Sequence, residues 1–250
     1  MSHFQTFTAK EIESLRRAGK VLRECLRLVS TKVEPGVTTK QLDEFAEEFI
    51  RSFDGAAPAF KGYNNYPATL CTSINDECVH GLPSPQRVLR QGDIVALDCG
   101  VIVDGLYTDA CVTAGVGLLP EPVQTFVRVT EDALEKACAI VREGVRIGDI
   151  SSMIQKAVEG AGYACVRALT GHGLGSTLHQ FPDIPNVGKK GKGPSVPAYT
   201  IIAIEPITSM GSDVIRESED GWTILTSDGS LSAHFEHTVL VLPDGGEILA

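Results

Sequence analysis

Five ionisable side chains interrupt or end apolar, strand-like segments, where burying them would be costly. Four are carboxylates and one is an imidazole: Asp98, Asp109, His172, Glu205 and Glu236. A carboxylate inside a core must become neutral, pair with a positive group or bind a cation. Because lysine and arginine are absent from these segments, we expect the group to bind cations. Carboxylate-rich sets with a single imidazole favour hard or borderline divalent ions such as Mn²⁺, Fe²⁺, Co²⁺ or Zn²⁺.

Each of the five also has an ordinary structural explanation when it is taken alone. Asp98 and Asp109 suit turns or caps, and His172 lies between two glycines of a predicted loop. Glu205 precedes a proline at a strand end, and Glu236 fits an exposed surface position. Their recurrence at comparable strand ends favours a shared, converging site over five separate explanations.

The elements that must position these residues occur twice along the chain. Capping boxes at Thr8 and Thr38 start two amphipathic helices, and β-like segments follow from Ala68. The pattern then begins again with predicted helices over Val123–Val141 and Ile150–Val158 and a second set of strands. This repetition predicts two α-then-β halves.

Short motifs support the same duplication. The apolar segment Asp93–Asp98 resembles Thr200–Glu205, and each ends in a carboxylate. The tripeptide His80-Gly81-Leu82 is echoed by His172-Gly173-Leu174. Because self-similarity marks repeated architecture, we expect matching strand ends from the two halves to meet at a shared seam.

Composition sets the broad class of the protein. The chain has 250 residues, 32 acidic and 22 basic, a formal charge of −10, and 43% hydrophobic residues, which predicts a folded domain. We expect one catalytic domain over 1–250, with halves at about 1–115 and 116–250. The negative charge argues against DNA as a partner, and no apolar segment reaches the roughly 18 residues of a membrane span.

The compartment is predicted from the N-terminus and the cysteines. The first ten residues lack a secretory pattern. Seven cysteines at irregular spacing, with no C-x-x-C motif, favour core packing in a reducing cytoplasm over disulfides or zinc knuckles.

Nearly the whole chain resembles a type I methionine aminopeptidase of the bacterial kind. The most specific segments are Ser73–Pro83, Leu97–Gly100, Tyr107–Asp109, Gly171–Gly173, Ile204–Pro206 and Ser232–Thr238. The resemblance implies an α+β protein with the pita-bread (creatinase/aminopeptidase) fold. In that fold two αβ halves related by a pseudo-twofold axis surround an antiparallel sheet and a dinuclear metal centre.

The resemblance also implies a role for each candidate ligand. Asp109 and Glu236 would bridge two divalent ions (Co, Mn, Fe or Zn), and Asp98 would hold one ion with both oxygens. His172 and Glu205 would hold the other ion. A hydroxide that bridges the ions would attack the peptide bond, and Glu205 would also carry the proton to the leaving amine.

Further residues are implied as catalytic or substrate-binding without being metal ligands. His179 would donate a hydrogen bond toward the scissile carbonyl oxygen, and His80 would contact the peptide nitrogen or the leaving group. The substrate's free α-amine would lie on a metal ion, which restricts the reaction to N-termini. The pocket for the methionine side chain would be formed by Tyr63, Tyr66, Cys71 and Trp222.

Some positions depart from the usual family pattern. Asn64 replaces a common histidine, Leu178 a frequent aromatic residue, and Phe60 a smaller residue, while Pro197–Tyr199 replaces a Pro-Gly-Met turn. The basic stretch Lys189–Gly193 is expected to be a solvated loop; the competing interpretation is a transient contact with ribosomal RNA.

The expected activity is removal of initiator methionine from the N-termini of nascent polypeptides whose second residue is small. Two alternatives stay open. One is an Xaa-Pro aminopeptidase-like hydrolase, a family that usually carries an extra N-terminal domain. The other is a catalytically inactive binding protein on the same fold, although such proteins lose ligands that are all present here. By resemblance, we expect a monomer.

Overall fold

The computed structural model describes residues 3–250. The helices of these residues are α1 (Ala9–Ser30), α2 (Thr39–Arg51), α3 (Glu121–Cys138) and α4 (Ile147–Glu159), with a 3₁₀ turn at Tyr63–Asn65. The strands are β1 (Ala56–Pro58), β2 (Leu70–Ile74), β3 (Glu77–Val79), β4 (Ile94–Val103), β5 (Leu106–Gly115), β6 (Ala164–Cys165), β7 (Thr170–Gly173), β8 (Gln180–Pro185), β9 (Ile201–Ile204), β10 (Ile207–Ser209), β11 (Ile215–Glu217), β12 (Ile224–Thr226), β13 (Ser232–His234), β14 (His237–Val241) and β15 (Gly246–Ile248).

The helices follow the predicted order, with small differences at their ends. Both predicted capping boxes, at Thr8 and Thr38, are present. Helix α3 is shifted two to three residues toward the N-terminus. Helix α4 starts at Ile147 rather than Ile150, because the Asp149 carboxylate accepts a hydrogen bond from the Arg146 amide at 3.2 Å and caps an earlier turn.

Strands β4 and β5 form the long hairpin that carries the two aspartates. Strand β4 runs without interruption from Ile94 to Val103. A turn at Asp104-Gly105 joins it to β5, and both turn residues have positive φ, 53° and 77°, as a tight two-residue hairpin requires.

The core strands have the same antiparallel order in both halves of the chain. In the first half β4 lies between β2 and β5, and in the second β9 lies between β7 and β14. Helices α1 and α2 cover the first set with one apolar core, and α3 and α4 cover the second with another. This correspondence supports the predicted halves, whose bounds stay a prediction.

The strand register changes one detail of the predicted duplication. When Asp93–Asp98 is superposed on Thr200–Glu205, Ala96 corresponds to Ala203. Ser73 pairs with Ala96, and His172 pairs with Ala203. His172 therefore corresponds to Ser73, and the tripeptide echo with His80 is not a strand-level equivalence.

The halves join through β5 and the residues around β14. Cys111 and Glu236 form an antiparallel bridge, with hydrogen bonds of 3.3 and 2.9 Å. The Thr238 hydroxyl accepts from the Asp109 amide at 2.8 Å and donates to the Asp109 carbonyl at 2.6 Å. These contacts fix the seam where candidate ligands of the two halves meet.

Other features of the structure bear on the sequence-based predictions. All seven cysteines are unpaired and buried, which confirms their packing role. Strand β12 begins at Ile224 and leaves Trp222 outside it, because the Asp220 carboxylate accepts from the amides of Trp222 and Thr223 and turns the chain there. Among residues 3–250, no helix combines the length and the apolarity needed to cross a bilayer.

Candidate active site

The β4–β5 register places the two aspartates on one face of the hairpin. Asp98 pairs with Cys111, and Asp109 pairs with Gly100. Since paired residues and residues two apart share a face of a sheet, Asp98 and Asp109 are diagonal neighbours. Both are buried, 8% and 4% exposed.

The second half brings the other three candidates to the same place. Ile204 pairs with His237, so Glu205 and Glu236 emerge at the same end of β9 and β14. His172 pairs with Ala203, two residues before Glu205. The His172 Nε2 lies 4.0 Å from an Asp109 oxygen, 3.6 Å from a Glu205 oxygen and 3.9 Å from a Glu236 oxygen.

The glycines beside His172 allow this close approach. A Cβ on Gly171 would lie 2.4 Å from the Ala203 carbonyl oxygen, and a Cβ on Gly173 would lie 2.3 Å from the Phe181 carbonyl oxygen. Any other residue would push β7 away from its neighbours. The Gly-His-Gly sequence is thus explained by strand packing around the histidine.

The donor set fits divalent cations. One oxygen of each of Asp98, Asp109 and Glu236 is fully buried without a hydrogen-bond partner. No lysine or arginine is among the residues that line this cavity in the described chain. Ligand atoms of Asp109, His172 and Glu236 lie within 4.8 Å of one another. Buried, unpartnered carboxylates in one cluster must be neutralised by protons or by cations, and this donor set suits divalent metal ions.

Burial governs the protonation of the carboxylates. Desolvation raises the pKa of Asp98 to about 6 and that of Glu205 to about 8. Desolvation, followed by the charges of neighbouring carboxylates, raises the pKa of Asp109 and Glu236 well above the ordinary values. Without cations, the cluster therefore holds protons at neutral pH that cations would displace.

Burial has the opposite effect on the imidazoles. Desolvation, with a smaller contribution from His179, lowers the pKa of His172 to about 3. The His172 Nδ1 lies 3.0 Å from the Gly173 carbonyl oxygen, so the ring proton is held at Nδ1. The Nε2 lone pair of a neutral ring then faces the carboxylates, as a metal ligand requires.

These shifts predict opposite pH dependences for two quantities, the stability of the metal-free chain and the stabilisation that metal adds. Because the raised carboxylate pKa values let the folded state bind more protons than the unfolded state, the free energy of unfolding without metal falls as pH rises. The free energy of unfolding falls between about pH 4, the ordinary carboxylate pKa, and about pH 8, the raised pKa of Glu205. The stabilisation added by Mn²⁺ grows over the same range, since fewer protons must be displaced.

Urea denaturation at pH 5.5 and pH 8, with Mn²⁺ or with a chelator, measures both effects. The expected loss in the chelated protein is on the order of a few kcal/mol. An Mn²⁺-induced stabilisation that is equal at the two pH values would contradict buried, protonated carboxylates as the binding groups.

Aromatic and apolar side chains line the same cavity, whose volume is about 340 Å³. The rings of Tyr66 and Trp222 meet edge to face, with centroids 5.1 Å apart. The Tyr66 hydroxyl donates to the Leu70 carbonyl at 2.9 Å, which leaves its ring face for packing. Cys71 and Leu178 complete this buried apolar cluster. An apolar wall of this kind suits the binding of an apolar side chain.

Three of the residues that depart from the family pattern lie at the pocket. Asn64 has φ 47° and ψ 29°, a left-handed conformation that asparagine tolerates better than most residues. Phe60, Asn64 and Leu178 all line the cavity, whereas Pro197–Tyr199 does not. The first three thus shape the pocket directly.

Two histidines lie on the solvent-accessible side of the cavity. The His179 Nδ1 is 3.2 Å from the Tyr63 hydroxyl, and its ring centroid is 4.4 Å from that of His172. His80 has φ 58°, so β3 ends there and the side chain turns into the cavity. Desolvation by the cavity walls lowers the pKa of both rings, which keeps them neutral at pH 7.

All eleven residues predicted for the site line this one cavity. Sequence reasoning missed His234, which is buried and whose Nε2 lies 3.5 Å from a Glu205 oxygen. Its signal was present in the motif Ser232–Thr238, two residues before Glu236. It also missed apolar wall residues such as Leu169 and Ile207, whose apolar segments carry no such signal.

Comparisons with known proteins agree with this geometry. The model of metallopeptidase family M24 matches residues 13–243. The chain is 46% identical over 239 residues to a methionine aminopeptidase of Clostridium perfringens, covering 96% of this chain and 95% of that protein. It is 38% identical over 242 residues to methionine aminopeptidase 1 of Bacillus subtilis, with 97% of each chain covered.

Solved structures give the same result. A methionine aminopeptidase from Thermotoga maritima superposes with a TM-score of 0.97 at 42% identity over 99% of both chains. A prolidase from Pyrococcus furiosus, 20% identical, shares the fold with a TM-score of 0.77 over 98% of this chain and 64% of its own. The pita-bread fold is thereby confirmed. The chain belongs to metallopeptidase family M24, among the bacterial methionine aminopeptidases.

Proposed function

We propose that this metallo-aminopeptidase removes the initiator methionine from nascent proteins whose second residue is small. The observation that carries the proposal is one cavity that joins a carboxylate–imidazole cluster to an apolar aromatic pocket. The cluster supplies hydrolysis, and the apolar aromatic part of the same cavity receives the methionine side chain.

In the proposed centre two divalent ions would be held by five residues. Asp109 and Glu236 would be shared by the two ions, Asp98 would hold one, and His172 with Glu205 would hold the other. Mn²⁺, Fe²⁺, Co²⁺ and Zn²⁺ all suit this donor set. Bound ions supply Lewis acidity and lower the pKa of water, so that a nucleophile forms at neutral pH.

The chain's own groups then handle the proton and the substrate. Glu205 accepts the proton of the attacking water and passes it to the leaving amine. His179 donates to the carbonyl oxygen as negative charge develops there. In this proposal the Tyr63 hydroxyl, 3.2 Å from the His179 Nδ1, donates to that nitrogen and so keeps the ring proton on Nε2. His80 contacts the peptide nitrogen.

Cleavage of short peptides tests the function. Met-Ala-Ser is expected to be cleaved with Mn²⁺ or Co²⁺ and not with a chelator, while acetylated Met-Ala-Ser and Met-Leu-Ser are cleaved far more slowly. An Ala-Pro peptide is expected to resist. Cleavage of only the proline peptide would favour the Xaa-Pro alternative, and cleavage of none in any metal would favour the inactive binding protein.

Replacement of His179 by alanine is expected to reduce kcat by roughly 10²–10³-fold, because it removes a donor to the developing oxyanion. Metal binding should be unchanged, since the ring is not a proposed ligand. The variant Tyr63→Phe, which removes only the hydroxyl that orients the ring, should give a smaller loss. Steady-state kinetics with metal titration calorimetry separates these outcomes, and loss of metal in His179→Ala would contradict the assigned role.

Because the proposed substrates are nascent chains, we expect the activity to be cytoplasmic. The seven unpaired cysteines suit such a reducing compartment. The loop Lys189–Gly193 is exposed, as a solvated loop should be. Its transient contact with the ribosome stays a hypothesis, and the monomeric state stays a prediction.

A further inference from the structure

His234 is a buried imidazole at the metal cluster that the ligand set does not use. Its side chain is 2% exposed, and neither ring nitrogen has a hydrogen-bond partner. The ring lies against two of the carboxylates: Nε2 is 3.5 Å from Glu205 Oε2 and 3.9 Å from Glu236 Oε2.

The backbone fixes this position. The Thr113 hydroxyl accepts from the His234 amide at 3.0 Å and donates to the His234 carbonyl at 2.7 Å. His234 also pairs with Ile207 across β13 and β10. The ring therefore enters the cluster from a strand pinned on both sides, and its contact with Glu205 does not depend on a mobile loop.

The two buried histidines flank the glutamates from opposite sides. His172 Nε2 approaches Oε1 of Glu205 and Oε1 of Glu236, at 3.6 and 3.9 Å. His234 Nε2 approaches Oε2 of the same two residues at nearly equal distances. Distances alone would therefore allow His234 to be either a ligand or a hydrogen-bond donor.

The second ring nitrogen distinguishes these two roles. His172 Nδ1 has the Gly173 carbonyl oxygen at 3.0 Å as a proton acceptor, which frees its Nε2 lone pair for a metal. His234 Nδ1 has no acceptor, so a proton there would be a buried, unpaired donor. On Nε2 the same proton faces two carboxylates. A neutral imidazole places its proton where an acceptor is available.

We propose that His234 is a positioning residue, whose Nε2–H donates a hydrogen bond to Glu205 Oε2 and holds that carboxylate in its working orientation. The bond limits rotation of the Glu205 carboxylate and leaves Oε1 on the side of His172. The catalytic consequence rests on the proposed function of Glu205 as proton carrier, whereas the tautomer of His234 and its effect on the metal site do not.

The tautomer is measured directly by NMR on the full chain labelled with ¹⁵N-histidine, with and without Zn²⁺. Long-range ¹H–¹⁵N correlations show which ring nitrogen carries the proton. We expect His234 to be protonated at Nε2 in both states, and His172 to be protonated at Nδ1 with its Nε2 signal shifting when Zn²⁺ is added. A His234 ring protonated at Nδ1, or a Zn²⁺-dependent shift of its Nε2 like that of His172, overturns the proposal.

Variants test the hydrogen bond. His234→Leu removes the donor and is expected to lower kcat by about 10–100-fold, as for groups that orient metal ligands, with little change in KM. His234→Gln keeps an N–H donor and is expected to restore most of the loss. Equal losses in both variants would contradict a positioning role.

A matched control lies three residues away. His237 Nδ1 bonds an Ala250 oxygen at 2.8 Å, and its Nε2 faces Glu135 at 3.5 Å, outside the cavity. His237→Gln should leave kcat and Zn²⁺ affinity unchanged. If the unmodified chain cleaves no methionine peptide while the NMR result holds, the proposed function fails and the positioning of Glu205 stands.

Discussion

Replacement of Glu236 by alanine is expected to abolish peptide hydrolysis and the binding of at least one metal ion. Glu236 is 2% exposed, and its Oε1 has no hydrogen-bond partner, so its charge has no evident role except toward a cation. Metal ions contribute several kcal/mol to such transition states, and each 1.36 kcal/mol is a tenfold change in rate. The expected loss is therefore roughly 10³-fold or more.

Metal analysis, calorimetry and kinetics on Glu236→Ala measure this effect together. Without metal, the variant should be about as stable as the parent or more stable, because one of four repelling carboxylates is removed. Glu236→Gln separates charge from volume and should behave like the alanine variant. Glu131→Ala, at an exposed position of α3, is the control. Full metal stoichiometry in Glu236→Ala would contradict the bridging role.

Replacement of Glu205 by glutamine is expected to lower kcat by about 10²–10⁴-fold, the usual contribution of a general base. The amide keeps an oxygen as a weaker ligand but cannot accept a proton. We expect excess metal not to restore the rate, because the variant lacks a proton acceptor as well as a strong ligand. Kinetics over pH 5–9 at several Mn²⁺ concentrations measures both.

The comparison that interprets this result is Asp98→Asn. Asp98 has no proton-carrying role in the proposal, so its variant should lose metal affinity and recover part of its rate at high Mn²⁺. If Glu205→Gln recovers to the same extent, Glu205 is a ligand only and another group carries the proton.

Much of the fold and the site follows from local sequence patterns. The capping boxes at Thr8 and Thr38 and the Asp104-Gly105 turn are local, because their hydrogen bonds and φ values involve residues three or fewer apart. The five candidate ligands were recognisable because charged groups at the ends of apolar strands are costly without partners.

Other features were not evident from the sequence. The start of α4 and the position of Trp222 outside β12 depended on local caps by Asp149 and Asp220, which the apolar periodicity of these segments does not reveal. The equivalence of His80 with His172 looked convincing as a tripeptide, but strand register assigns that place to Ser73. Register is set by pairing across a sheet and cannot be inferred from a three-residue match.

The sequence by itself determined which groups carry charge, which segments are apolar, and that two similar units occur along the chain. Only the tertiary structure decided that Asp98, Asp109, His172, Glu205 and Glu236 lie in one cavity, since a seam at Cys111 and Glu236 brings the halves together. Only the tertiary structure showed that the Nδ1 of His172 has a proton acceptor and that the Nδ1 of His234 has none. The role of an imidazole depends on which of its nitrogens finds a proton acceptor, and that acceptor is supplied by packing.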